Sequence, residues 1–375
     1  MQDWRLPVFI ELSKIKGVEL LVVTSSDFSG TKVVNARRSE TYSFWKKIFS
    51  VNISIKRNSG NFCLPIALNL FPEILRFKPD VVITEGVSNL VNNFQCFVYC
   101  KLFKVPLIQW GLGELPNRKR NFFSRILRNI LTFYESFSDG AIAYSTHGAR
   151  HYSAAGISTQ NISVVLNSID TDKRRSEINL FLRERNISDL SALPETNSIC
   201  YLGALEVNKH VDHLINLFSK IRPFFPGLKL NIVGSGADEE KLRDLAKDIC
   251  GSDVIFHGAQ TESLCDYLLG SKLLVLPNLG GLVFSEALVH GVPILTGPAD
   301  GSEIDLLLHQ PEFLMATNLS SDPEGWERMI CYILNNPSKR NIARERGIKF
   351  AARLTLHNYV AAIHSLCKKL MNGVQ

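Results

Sequence analysis

Short apolar runs alternate with longer amphipathic stretches along most of the chain. The runs fall at 19–24, 81–84, 107–110, 140–144, 162–166, 199–202, 228–233, 254–257, 273–276 and 293–295, bounded by Gly, Pro or Asp. Their brevity and β-branched content suit strands buried on both faces. Helical periodicity fills most of the gaps, and strand–helix alternation predicts parallel sheets joined by right-handed crossovers. The alternation pauses near 170–197, which opens Asp170-Thr171-Asp172-Lys173-Arg174-Arg175 and contains Pro194, and then restarts with a strand. The expected organisation is a first domain over 1–170, a linker over 171–197, a second domain over 198–350 and a C-terminal helical segment over 351–375. Residues 5–13 read as a helix where a doubly wound domain usually opens on a strand, so either the first strand is missing or the true start lies upstream.

A length of 375 residues suits two domains. Hydrophobic residues at 45% and charged residues at 21% exclude a disordered, collagen-like or coiled-coil chain. No apolar run approaches the roughly 20 residues that span a bilayer. The start carries no basic, apolar, small-residue leader pattern, so a cytoplasmic location is expected. The eight cysteines form no C-x-x-C pair and have no metal-ligand spacing. The net charge of +6 is unevenly spread: residues 1–175 hold 23 Lys/Arg against 13 Asp/Glu, the rest 19 against 23. A basic first half points to an anionic partner, a membrane surface or a phosphate. Nucleic acid is not expected, because the chain has no helix-turn-helix, zinc or aromatic RNA-binding signature.

Three segments are suited to chemistry. In 277–288, Gly280 and Gly281 follow a strand and let backbone N–H groups approach a ligand closely; a helix then begins near Ser285, so its positive end faces the same spot. Glu286 falls in that first turn, placed to accept hydrogen bonds from sugar hydroxyls. A plain strand–turn–helix reads the same way. In 201–215 a strand ends at Gly203 and Lys209 stands just before a helix, where a lysine can hold a diphosphate; alone, such a lysine is a solvated surface residue. In 232–236 the turn containing Gly234 and Gly236 is usable as an anion nest.

In this order and spacing the three segments resemble the donor half of glycosyltransferase family 4, the group 1 glycosyl transferases. The first half is similar as well, in Arg5-Leu6-Pro7-Val8-Phe9, in 79–86, in Trp110-Gly111-Leu112-Gly113 and in 167–172. The resemblance implies a GT-B architecture, two Rossmann-like doubly wound α/β domains facing a cleft. It implies a retaining glycosyltransferase that moves a sugar from a UDP- or GDP-linked donor to a glycan or polyprenyl-diphosphate-linked acceptor, as in bacterial surface polysaccharide synthesis. No cofactor and no bound metal are implied, the nucleotide sugar being a substrate. Carried over by position, Glu286 would bind the donor ribose, Lys209 would meet the diphosphate, and the loop from Gly280 and Gly281 through Leu282 to Val283 would turn its amides to the donor sugar.

The chain departs from the family pattern at three places. Asn278 stands where the family has its first glutamate, Ala204 where it has a diphosphate-binding arginine, and Leu112 where it often has a histidine. Asn278 keeps hydrogen-bonding capacity without charge; Ala204 removes a bidentate phosphate contact. On the acceptor side, Glu85, His147 and Arg150 follow strand ends and are candidates to line the cleft. The cluster Arg118-Lys119-Arg120 precedes the apolar-faced stretch 121–137, which suits peripheral contact with an anionic membrane or, equally, a core helix with a basic rim. The competing functions are a non-catalytic relative acting as a binding or partner subunit, and a GT-B enzyme of different chemistry, such as an epimerase or phosphorylase.

Overall fold

The computed structural model describes residues 5–24, 42–55, 62–85, 89–114, 122–166, 169–260, 264–308, 313, 315 and 317–373. The Arg118–Arg120 cluster and the pair 167–168 lie outside these residues. The chain forms two compact units, one of 1–167 with 356–375 and one of 168–355.

The first unit runs α1 (Leu6–Ser13), β1 (Val22–Thr24), β2 (Trp45–Lys47), β3 (Val51–Ile55), β4 (Phe62–Ile66), α2 (Leu70–Phe77), β5 (Val82–Glu85), α3 (Leu90–Phe103), β6 (Leu107–Gly111), α4 (Phe122–Ser136), β7 (Gly140–Ala143), α5 (Thr146–Ala154) and β8 (Ile162–Val164). Strands β5-β6-β7-β8 form one parallel sheet; β1 and β2 pair in parallel, and β3 and β4 form an antiparallel hairpin. Every residue of β6 and β7 is buried; β7 is apolar throughout, and the one polar side chain of β6, Gln109, donates to Ser138 Oγ at 2.8 Å.

The second unit runs α6 (Thr171–Glu184), β9 (Ser198–Leu202), α7 (Val211–Ile221), β10 (Lys229–Val233), α8 (Glu239–Cys250), β11 (Val254–Phe256), α9 (Cys265–Leu268), β12 (Leu273–Leu276), α10 (Val283–His290), β13 (Ile294–Thr296), α11 (Gly301–Leu307), α12 (Pro323–Asn335) and α13 (Pro337–Ala351). Its five strands are all parallel, in the order β11-β10-β9-β12-β13. The chain winds outward from β9 in one direction, then crosses to β12 and winds outward in the other. The order therefore reverses between β9 and β12, and the carboxyl ends of these two strands flank the crevice where open α/β sheets take their ligands.

Two expectations about domains are corrected. Residues 171–184 of the expected linker are the helix α6, capped by Asp170 Oδ1, which accepts from Lys173 N at 3.0 Å. Its polar opening conceals three buried positions, Thr171, Ile178 and Leu182, which seat it in the second unit. The C-terminal segment is α14 (Leu356–Asn372), and it returns to the first unit. There Ile363, Leu366 and Leu370 join the core around Ile108, Trp110 and Ile142. Each such side chain stabilises the unit by about 1.5–3 kcal/mol through burial.

Candidate functional site

Two loops leave the strand ends at the reversal. The loop after β9 contains a tight turn, Val207–Lys209, closed by His210 in a left-handed conformation (φ 55°). The loop after β12 starts at Pro277 and leads into α10. Asn278 Nδ2 donates to Asn208 O at 2.7 Å, its Oδ1 accepts from Leu279 N at 2.8 Å, and Lys209 Nζ donates to Leu279 O. Lys209 and Asn278 are thus brought together, but Asn278 serves as a clasp between the loops.

The glycine loop is held by a residue that sequence reasoning missed. Glu303 Oε1 accepts from Gly280 N at 2.9 Å and from Gly281 N at 2.7 Å, and its Oε2 accepts from Asp300 N at 3.0 Å. Asp300 in turn caps α11, accepting from Ser302 N and Glu303 N. Burial raises the Glu303 carboxyl above its usual range while these amides pull it back. The amides of Gly280 and Gly281, expected to face a donor sugar, are instead directed at this carboxylate. Gly281 has φ +62°, which a side chain rarely adopts. Leu282 immediately precedes α10 and Val283 opens it, so both stand at its positive end. The spacing Asp300-x-x-Glu303 is readable as a helix start, but nothing local ties it to a loop some twenty residues upstream.

In the anion nest expected at 234–236 the first amide is already engaged. Gly234 N donates to Gly258 O at 2.8 Å, and Gly203 N to Val233 O at 3.0 Å. A Cβ at Gly234 would lie 1.8 Å from Gly203 O, and one at Gly236 would lie 2.1 Å from Leu205 O. Gly234 and Gly236 let two loops lie against each other, and that close approach is why they carry no side chain; Gly203 has φ +153°, and a Cβ there would lie 3.0 Å from the Tyr201 hydroxyl.

Glu286 lies in the first turn of α10 and is 7% exposed. Arg174 of α6 reaches it: Nε donates to Oε1 at 3.0 Å, and Nη2 lies 3.0 Å from the same oxygen. Arg174 Nη1 donates to Glu177 at 2.7 Å. Glu286 Oε2 is buried and has no hydrogen-bond partner among the described residues. His290 Nδ1 stands 3.9 Å from Oε2, but its hydrogen bond goes to Glu286 O at 2.7 Å. Burial pushes the Glu286 carboxyl up to about 7, against the pull of Arg174, and burial pushes His290 down to about 4.

These shifts predict a pH signature. The folded chain holds the Glu286 proton more tightly than the unfolded chain, so stability from this group falls as pH rises from about 4.5 to 7. The change is about 3 kcal/mol. His290 acts oppositely: its neutral buried form contributes stability that is lost as pH falls from 6.5 towards 4. The two overlap, so the diagnostic is a difference. Glu286→Gln is expected to remove the fall in stability across 4.5–7, as measured by urea unfolding at several pH values.

In the first unit the expected acceptor residues are differently placed. Glu85 ends β5 and pairs with Arg5, whose guanidinium also meets Tyr144 Oη and lies 5.3 Å from the centre of the Trp110 ring. His147 is half-buried in the first turn of α5, and Arg150 is exposed. The buried polar cluster is formed by other residues. Arg128 and Glu135 of α4 pair at 2.8 Å, and His151 Nε2 stands 2.9 Å from the same Glu135 oxygen. Arg128 and Glu135 stand seven apart on α4, beyond the ordinary i,i+3 and i,i+4 pairing, and His151 lies on α5, so no local pattern marks the cluster. Among the described residues, one group of three metal-capable side chains has ligand atoms within 4.8 Å of one another: His210, Asp212 and His213, around the start of α7. No helix of the described residues is long and apolar enough to cross a membrane.

Comparison with known proteins agrees with this architecture. Residues 183–350, most of the second unit, match the sequence profile of the family Glycosyl transferases group 1. An uncharacterized glycosyltransferase of Haemophilus influenzae is 29% identical over 147 residues, which is 38% of this chain and 41% of that protein. The chain therefore spans less than half of that relative. Among solved structures, HepE of Anabaena in complex with UDP has a TM-score of 0.61 at 13% identity, covering 87% of this chain and 86% of that one. The apo form of the lipopolysaccharide outer core galactosyltransferase WaaB has a TM-score of 0.59 at 16% identity, covering 87% and 84%. The chain has the GT-B fold.

Proposed function

We propose that this chain is a retaining glycosyltransferase that uses a UDP- or GDP-linked sugar and a glycan or polyprenyl-diphosphate-linked acceptor, in surface polysaccharide synthesis. The observation that carries the reading is Glu286, a buried carboxylate on the first turn of α10 whose Oε2 has no partner among the described residues. Such an oxygen suits a ribose hydroxyl, which it would accept as a charge-assisted hydrogen bond. HepE, whose fold this chain shares, binds UDP.

As the bond to the sugar breaks, negative charge grows on the departing diphosphate. Lys209, after β9, and the positive end of α10, after β12, supply the opposing charge from the two strand ends that flank the crevice. With Ala204 in place of a second cation, Lys209 carries much of that load. Lys209→Ala is expected to lower turnover about 100-fold, measured as release of nucleoside diphosphate. The test of the reading is that assay with panels of UDP- and GDP-sugars and a polyprenyl-diphosphate glycan. Release with one base, dependent on Glu286, supports it; no release from any donor overturns it.

The held amides of Gly280 and Gly281, together with Ala204, favour a second reading as a non-catalytic binding subunit. Its signature is nucleotide binding without turnover.

Peripheral membrane contact is part of the proposal. Ile126, Ile130, Phe133 and Phe137 are exposed in one stripe along and just beyond α4, with Arg125 exposed beside them. Phe133→Glu with Phe137→Glu is expected to weaken binding to anionic vesicles at least about tenfold, since each buried aromatic contributes roughly 1.5–3 kcal/mol. Salt at about 0.5 M is expected to weaken the wild type as well. Vesicle co-sedimentation checks both.

A further inference from the structure

Glu286 and Arg174 stand 112 residues apart in sequence and meet in the second unit. The guanidinium is shared in a defined way. Nε and Nη2 hold Glu286 Oε1, and Nη1 holds Glu177 Oε2. Both Glu286 Oε1 and the arginine are largely enclosed, their side chains being 10% and 13% exposed. The clamp takes one oxygen of Glu286 and leaves the other, Oε2, buried without a partner among the described residues.

We propose that Arg174 is a positioning residue, which holds Glu286 by Oε1 in its ionised form and so presents Oε2 as the acceptor for a hydroxyl of the nucleotide. The inference rests on the reading of Glu286 as a donor-site residue. An enclosed carboxylate with no cation beside it takes up a proton, and a protonated oxygen can donate to a hydroxyl but accepts poorly. Arg174 is the group that opposes this. The other groups around Glu286 contribute less. Glu177 of α6 opposes ionisation and Lys173 favours it. Cys265 of α9 faces the site as a thiol with a raised pKa. His290 is neutral, and Arg344 of α13 is directed to Gly291 O.

The test is calorimetric affinity for UDP and GDP between pH 5.5 and 9 in wild type, Arg174→Ala, Arg174→Lys and Glu286→Gln chains, and in the Arg174→Ala/Glu286→Gln double variant. The Glu286→Gln background accounts for titration of the nucleotide itself. In wild type, affinity is expected to rise through about pH 7, where Glu286 ionises. In Arg174→Ala the inflection is expected to move up by at least about one pH unit. Affinity at pH 7 then falls at least about fivefold and largely recovers by pH 9. Arg174→Lys keeps most of the wild-type profile, and the double variant shows no shift relative to Glu286→Gln. An Arg174→Ala profile that is uniformly weaker but has the wild-type inflection overturns the proposal, as does an equal shift in the Glu286→Gln background. If the wild type binds neither nucleotide, the donor reading has failed, and the role of Arg174 is read from urea unfolding. The stability difference between wild type and Glu286→Gln must then move to higher pH when Arg174 is replaced; an unmoved difference overturns the proposal.

Discussion

Glu303→Ala is expected to destabilise the second unit by about 3 kcal/mol and to abolish nucleotide binding with it. The carboxylate accepts from three backbone N–H groups, those of Gly280, Gly281 and Asp300. Hydrogen bonds to a charged acceptor contribute roughly 1.5–3 kcal/mol each, and donors left without a partner incur a desolvation penalty. The three are coupled through one residue and do not add in full. Two consequences follow from the same loss. The start of α11 gives up half of its capping box, and the glycine loop loses the anchor that fixes the approach to α10. Glu303→Gln keeps an oxygen for part of this set but turns an amide N–H2 towards one of the donors, so an intermediate loss is expected. Urea unfolding with an unchanged m-value measures it. A midpoint for Glu303→Ala equal to that of wild type would show that the loop does not depend on this carboxylate.

Glu286→Ala is expected to weaken nucleotide diphosphate binding about 100-fold, within the range that loss of one charge-assisted hydrogen bond allows. The chain should stay folded, because Arg174 keeps its pair with Glu177 at 2.7 Å and the rest of α10 is buried through Phe284, Ala287 and Leu288. The predicted result is a circular dichroism spectrum like that of wild type with turnover lost. Turnover at the wild-type rate would contradict the assignment of this residue.

The strands that form the two main sheets were legible because strands buried on both faces leave unbroken apolar runs, as in Leu273–Leu276 and Gly140–Ala143. The β3–β4 hairpin was not, because Val51–Ile55 carries Asn52 and Ser54 between its apolar residues and Phe62–Ile66 contains Pro65. The helix α6 was read as a linker for a related reason: its first turns are charged, and its buried residues are few and widely spaced. For the site, the sequence placed Lys209, Asn278 and Glu286 after the strands that carry them. It misjudged the glycines, since a glycine that lets two loops touch and one that lets a ligand approach read alike. Arg174 and Glu303 could not be found at all. Each acts on a partner that only the fold brings near, and neither stands in a local pattern that distinguishes it from a surface charge or a helix cap.

The most direct measurement is a calorimetric titration of UDP, GDP, ADP, CMP and dTDP onto the purified chain and onto Glu286→Ala at pH 8, where Glu286 is largely ionised. The account predicts that one of the uridine or guanosine diphosphates binds the wild type at one site and that Glu286→Ala loses about two orders of magnitude of that affinity. Equal affinity in the two chains, or no binding of any nucleotide to a folded wild type, would contradict it.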